Sequence, residues 1–140
     1  MRDIKFRGIC NEENEEERKG EFVYGNLYIC WNGEVQINER DDTWHYDVDK
    51  ETVGQYTGLK DKNSVEIYEG DIVKCIELRN DIVSEYISEV FMEDGCWLVH
   101  ESKTCDVELY LYDNSNPTKL PLTEITVIGN IYENPELLES

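Results

Sequence analysis

Apolar and polar residues alternate one by one along most of this chain, the two-residue period of half-buried strands. Ile4 and Phe6 point one way and Lys5 and Arg7 the other, which predicts a strand over residues 3–9. Phe22-Val-Tyr-Gly and Leu27-Tyr-Ile-Cys-Trp31 run into Asn32-Gly33, and alternation resumes at residues 34–38 with Val35 and Ile37 inward. Asn-Gly between apolar runs is a hairpin signal, because both residues tolerate positive φ. Residues 43–48 alternate again, with Trp44, Tyr46 and Val48 on one face. Residues 11–20 (NEENEEERKG) carry no apolar stripe and read as a solvated loop.

In the second half, Gly54 and Gly58 flank Gln55-Tyr56-Thr57, which predicts a short strand with close backbone approach. Residues 60–64 form a turn. Glu66-Ile-Tyr68 then leads through Glu69-Gly70-Asp71, a bend made cheap by Gly70, into the apolar strand 72–78. Further strands are predicted at 85–92, 96–101 and 124–132, with a tight turn at 93–95; residues 106–112 form a strand or a short helix, and 114–121 a loop. Gly129 lies inside the last strand. Asn134 is placed to cap a terminal turn, Pro135 fits its first position, and Leu137 and Leu138 are expected to fold back onto the core. The expectation is a mostly-β protein: a β-hairpin lobe over 1–64, packed with a small, SH3-like, partly open barrel and a short terminal helical turn over 65–140. A Gly-Asp corner feeding a β-branched strand recurs in such barrels, which bears on fold and not on function.

Composition changes the picture mainly through charge. Among 140 residues there are 13 basic and 32 acidic, for a net charge of −19. The imbalance is uneven: residues 1–64 hold 9 basic and 15 acidic (net −6), residues 65–140 hold 4 and 17 (net −13). Such a chain is repelled by phosphate backbones and attracted to basic protein surfaces. Nine Tyr, three Trp and three Phe argue against disorder. No apolar run is long enough to cross a bilayer, and the N-terminus has no signal-peptide core, so the expected location is the cytoplasm. Five cysteines with no Cys-x-x-Cys pair read as reduced thiols, not as a disulfide framework or zinc site.

Candidate catalytic groups are sparse. Cys96 and His100 share a strand face but stand about 13 Å apart at a rise of about 3.3 Å per residue, too far for a thiol–imidazole pair. Asp47 and Asp49, with Asp41 and Asp42 upstream, are a two-carboxylate pattern that arises by chance in so acidic a chain. Gly54, Gly58 and Gly70 have no phosphate-loop spacing and read as structural. No catalytic residue, metal or cofactor is assigned. Lys5, Arg7, Lys60 and Lys62 are the basic residues expected to gather into a small spot able to meet an acidic neighbour or a second copy. Tyr56, Tyr110 and Tyr112 are expected on a surface as contact anchors, and Trp31, Trp44 and Trp97 in the core.

Three segments, Met1-Arg-Asp-Ile-Lys-Phe-Arg7, Val53-Gly-Gln-Tyr-Thr-Gly-Leu-Lys-Asp-Lys-Asn63 with Glu66-Ile-Tyr-Glu-Gly-Asp-Ile-Val73, and Val127–Leu138, resemble the YopX-type family of phage and prophage proteins. Ser64 stands where relatives commonly carry Gly. The resemblance implies a mostly-β fold carried by bacteriophages, self-association and no established activity. The functional expectation is a non-catalytic, acidic protein-interaction module of a phage or prophage. The alternatives are a nucleic-acid binder using the barrel and the basic spot, and a metal-dependent hydrolase built on scattered carboxylates.

Overall fold

The computed structural model describes residues 4–11, 19–39, 45–102, 105–108 and 122–138. It is mostly β, with three antiparallel sheets, none closed on itself among the described residues. The chain divides into two units between Gly58 and Leu59, before the 61–64 turn and not at it, because Leu59 already packs against the second core.

The first unit holds β1 (Phe6–Ile9), β2 (Phe22–Ile29), β3 (Val35–Asn38), β4 (His45–Asp47) and the start of β5 (Gly54–Lys60), in the order β4-β3-β2-β1-β5. Alternation sends Val23, Ile37, Cys10 and Val48 inward, where Phe6, Leu27, Val35, Tyr46 and Val53 pack on them. Val48 bridges back to Cys10. A 3₁₀ turn at Lys50–Thr52 is locked by Thr52, whose hydroxyl accepts from Ile9 N–H at 2.9 Å and donates to the Asp49 carbonyl at 2.6 Å.

The second unit holds the end of β5, β6 (Glu66–Tyr68), β7 (Asp71–Arg79), β8 (Ile82–Glu89), β9 (Phe91–Glu93), β10 (Cys96–Ser102), β11 (Cys105–Glu108) and β12 (Leu122–Asn130). Two sheets, ordered β12-β7-β8 and β11-β10-β9, enclose a core of Ile67, Val73, Cys75, Val90, Val99, Val107 and Ile125. The strand expected over 85–92 is two strands, β8 and β9, broken at Val90, whose N–H donates to the Asp71 carbonyl at 2.8 Å and whose carbonyl accepts from Gly70 N–H at 2.9 Å.

Several placements differ from expectation. Between β2 and β3 the connection is wider than a two-residue turn: only Gly33 takes positive φ (91°), and the Asn32 side chain accepts from Glu34 N–H at 3.0 Å. Trp31 stands in that loop beyond the end of the core and is 100% exposed, not buried. Ile4 lies ahead of β1 and is also exposed. The terminal 3₁₀ turn Pro135–Leu138 buries none of its residues, so Leu137 and Leu138 do not plug the core. Trp44 and residues 12–18, 109–121 lie outside the described residues.

Candidate interaction surfaces

The glycine and aspartate corners are built as supports. Gly70 takes φ 91°, and a Cβ there would press on the Tyr132 ring at 3.2 Å. Asp71, buried beside it, accepts from Tyr68 N–H at 2.7 Å, while Ile131 N–H donates to the Gly70 carbonyl at 2.9 Å. This ties β6, β7 and the end of β12 into one corner. At Gly129 a Cβ would meet Asn134 Oδ1 at 2.6 Å. That oxygen reaches backwards to accept from Asn130 N–H at 3.3 Å, instead of capping the turn at Pro135. Asn130 Oδ1 accepts from Tyr132 and Glu133 N–H at 3.0 and 2.9 Å. Gly54 is buried at the β1–β5 pairing, opposite Arg7, and Gly58 has φ 89°.

Sequence reasoning passed over Asp61. It is fully buried, and its carboxylate accepts three backbone donors: Asn63 N–H at 2.8 Å and Val65 N–H at 2.9 Å through Oδ1, and Val127 N–H at 2.9 Å through Oδ2. One side chain therefore holds the 61–65 turn and fastens it to β12. The signal for it was present, since an Asp heading a Lys-Asn-Ser turn is an Asx-turn pattern.

The expected basic spot does not assemble as four surface charges. Arg7 is buried, its guanidinium 4.3 Å from the Phe22 ring centroid. A planar cation over an aromatic face gains from the ring quadrupole, and the long stem covers apolar surface. Lys5 sits with Nζ 5.1 Å from the Tyr56 ring, and Tyr56 is itself buried, not a surface anchor. Lys62 is engaged with Glu124 at 3.3 Å. Lys60 is exposed. Tyr110 and Tyr112 lie outside the described residues.

The two carboxylates of the Asp47 and Asp49 pattern are engaged by neighbouring side chains. Asp47 accepts from the Gln36 side-chain amide and Asp49 from that of Asn11, both at 2.8 Å. They border a cleft of about 400 Å³ in the first unit, with Asn32, Glu34 and Lys50 also on its wall. Asp41 and Asp42 lie outside the described residues. No group of three or more His, Cys, Asp or Glu suited to a metal occurs among the described residues. His100 stacks on Phe91, centroids 4.3 Å apart.

Among the described residues, two groups titrate away from their ordinary ranges. Burial pushes the Cys75 thiol from 9.0 up to about 12; a hydrogen bond from Tyr86, its cross-strand neighbour, works against the rise and the charge of Glu77 adds to it. Partial burial raises Glu89, with His100 opposing and Glu69 reinforcing. A thiol so held is not a nucleophile, since the thiolate is the reactive species.

The surface feature that remains is apolar. On the outward face of β7 and β8, Leu78 pairs with Val83 and Lys74 with Ile87, and Leu78, Val83 and Ile87 are all exposed. Ile82, at the hairpin tip, is exposed too. The tip is a two-residue turn, Asn80 (φ 50°) and Asp81 (φ 65°), the sign pair of a type I′ hairpin. The sequence reading began this strand at residue 85, because Asn80-Asp81 lacks the glycine that usually advertises such a turn.

Open antiparallel sheets with glycine and aspartate corners tied by backbone hydrogen bonds define a mostly-β protein. Residues 5–139 match the family described as YopX protein, and the chain belongs to that family. Its structure is similar to the crystal structure of protein EF1440 from Enterococcus faecalis, with TM-score 0.54 and 25% identity, covering 99% of this chain and 100% of that one. Comparison with curated proteins finds no match.

Proposed function

We propose that this chain is a phage or prophage accessory protein that acts by binding and not by catalysis: an acidic module of the host cytoplasm whose partner is a protein with a basic surface. The observation that carries the reading is the charge, −19 from 32 acidic and 13 basic residues. A field of that sign speeds encounter with cationic surfaces and turns away nucleic-acid backbones. Further support comes from the carboxylates themselves. Asp61 and Asp71 are spent on backbone N–H groups, and Asp47 and Asp49 on side-chain amides.

Self-association, which family membership suggests, enters this reading in a reduced form. A contact between a basic spot and another copy's acidic half loses Arg7 to the interior and shares Lys62 with Glu124.

The experiment is capture of host proteins on the immobilised full chain at low and high salt. The expected result is a basic protein retained at low salt and released as the Debye length falls to about 3 Å near 1 M. Recovery of no partner at any ionic strength overturns the reading.

A further inference from the structure

We propose that the outer edge of β8, residues 82–87, receives an extended segment of the partner protein as an added strand, and that this segment alternates apolar with basic residues along one face, at every second position. The inference rests on the acidic-module reading and gives it a site.

Edge strands present a row of backbone donors and acceptors to any chain able to pair with them, and proteins blunt such edges with proline, bulges, lysine or short length. β8 has no proline, bulge or lysine and is not short; its charged residues are Glu85 and Glu89, and the 3₁₀ turn Pro135–Leu138 packs against it. β8 has no Gly or Arg either. It pairs with β7 in eight consecutive steps, from Ile72↔Glu89 to Arg79↔Ile82, without a register shift, whereas the β12–β7 ladder shifts twice. Among the described residues β8 is the last strand of its sheet. Its far end is committed: Ser88 Oγ accepts from His100 N–H at 2.8 Å, and Val90 is bonded into the Gly70–Asp71 corner. The stretch at 82–87 is where apolar side chains stay in water, Ile82 at 66% and Val83 at 68% exposure, with Leu78 alongside.

The charges on this edge choose the occupant. From the turn through the end of β8 the charged residues are Asp81, Glu85 and Glu89, every one acidic and spaced four apart. A second copy laid antiparallel about Glu85 would set Glu85 against Glu85 and Asp81 against Glu89, and like charges directly opposite are destabilising. Val83 and Ile87 fall between these acids on one face, so the fitting strand offers Lys or Arg opposite the acids and aliphatic side chains opposite Val83 and Ile87. Lys74 reaches Glu85 at 3.1 Å from β7 but leaves that side chain 57% exposed. In strand addition the backbone ladder supplies affinity and alternate side chains supply selectivity.

The test uses the full chain and three capped eight-residue peptides. One alternates lysine and valine at every second position with threonine between them (Lys-Thr-Val-Thr-Lys-Thr-Val-Thr), so that both fall on one face, one has glutamate at the lysine positions, and one keeps the first composition with its lysines clustered at one end. Calorimetry should show the alternating peptide binding at least tenfold more tightly than either control. Hydrogen exchange on the unaltered protein should slow at residues 82–87 when that peptide is present. Val83→Lys with Ile87→Lys, both at exposed positions, should weaken it at least tenfold while circular dichroism stays unchanged.

Equal binding of the clustered peptide, protection elsewhere, or an unaffected double variant overturns the proposal. So does a concentration-dependent dimer that protects 82–87 without peptide. If the double variant still retains the salt-sensitive host partner, the edge is wrong and the acidic-module reading stands. If peptide adds to β8 but no host partner is captured, the edge stands and the wider reading falls.

Discussion

Asp61→Asn isolates what one buried carboxylate does for the second unit. The side chain is fully buried and accepts from Asn63, Val65 and Val127 N–H at 2.8, 2.9 and 2.9 Å. Asparagine is isosteric, so no cavity opens. Its carbonyl oxygen can still serve the Asn63 and Val65 donors, but its amide then turns a donor toward Val127 N–H, and the other flip sacrifices two bonds to save one. Hydrogen bonds to a charged group contribute about 1.5–3 kcal/mol each, and a buried donor left unmet costs about 1–3 kcal/mol. One such bond lost outright and two weakened to neutral strength give a loss of roughly 2–4 kcal/mol, a large share of the about 5–15 kcal/mol that folds a typical domain. At about 2–4 °C per kcal/mol for a chain of this size class, the melting temperature should fall by about 5–15 °C. Denaturant titration followed by tryptophan fluorescence, with calorimetry alongside, measures it. Asp61→Asn within about 0.5 kcal/mol of the parent, the range of an ordinary surface substitution, refutes the assignment of Asp61 as the turn's anchor.

Three further outcomes follow from single residues. Ser64 holds φ 66°, a conformation that costs a residue with a Cβ about 1–2 kcal/mol, partly offset in glycine by its greater freedom when unfolded; Ser64→Gly should therefore stabilise by roughly 0.5–1 kcal/mol in the same titration. Gly70→Ala meets both a φ of 91° and the Tyr132 ring at 3.2 Å, and should destabilise by about 1–3 kcal/mol, whereas a neutral result would mean the corner is soft. Cys75 rises from 9.0 to about 12 on folding, so the stability it contributes is complete below about 9 and is lost as pH climbs toward 12, at most about 1.4 kcal/mol per pH unit. The stability difference between parent and Cys75→Ala should shrink over that window, and one that stays constant refutes the shift.

The strand plan was readable because most strands here have one wet face. Val23, Ile37 and Val48 on one core, and Val73, Cys75 and Ile125 on the other, fall at the alternating positions that the period-two pattern marks. Gly70 and Asp71 announced their corner by residue type alone. Arg7 and Tyr56 escaped the same logic: alternation says which face a residue takes, not whether something covers that face, and each is covered by a ring or cation from a neighbouring segment. Trp31 failed for the opposite reason, since hydrophobicity marks what a core accepts but not where the sheet ends. The basic spot needed the lysines to be unengaged, and the Lys62–Glu124 contact joins residues far apart in the chain, beyond any local pattern. The exposed edge at β8 was hidden by its turn, because Asn80 and Asp81 adopt positive φ without glycine.

Isothermal titration of the full chain with the purified host protein it retains, across a range of salt concentrations, tests the central claim most directly. An acidic module predicts an affinity that weakens steeply and linearly in log salt, with no turnover of the partner. Tight binding that ignores salt, or covalent change in the partner on mixing, contradicts it.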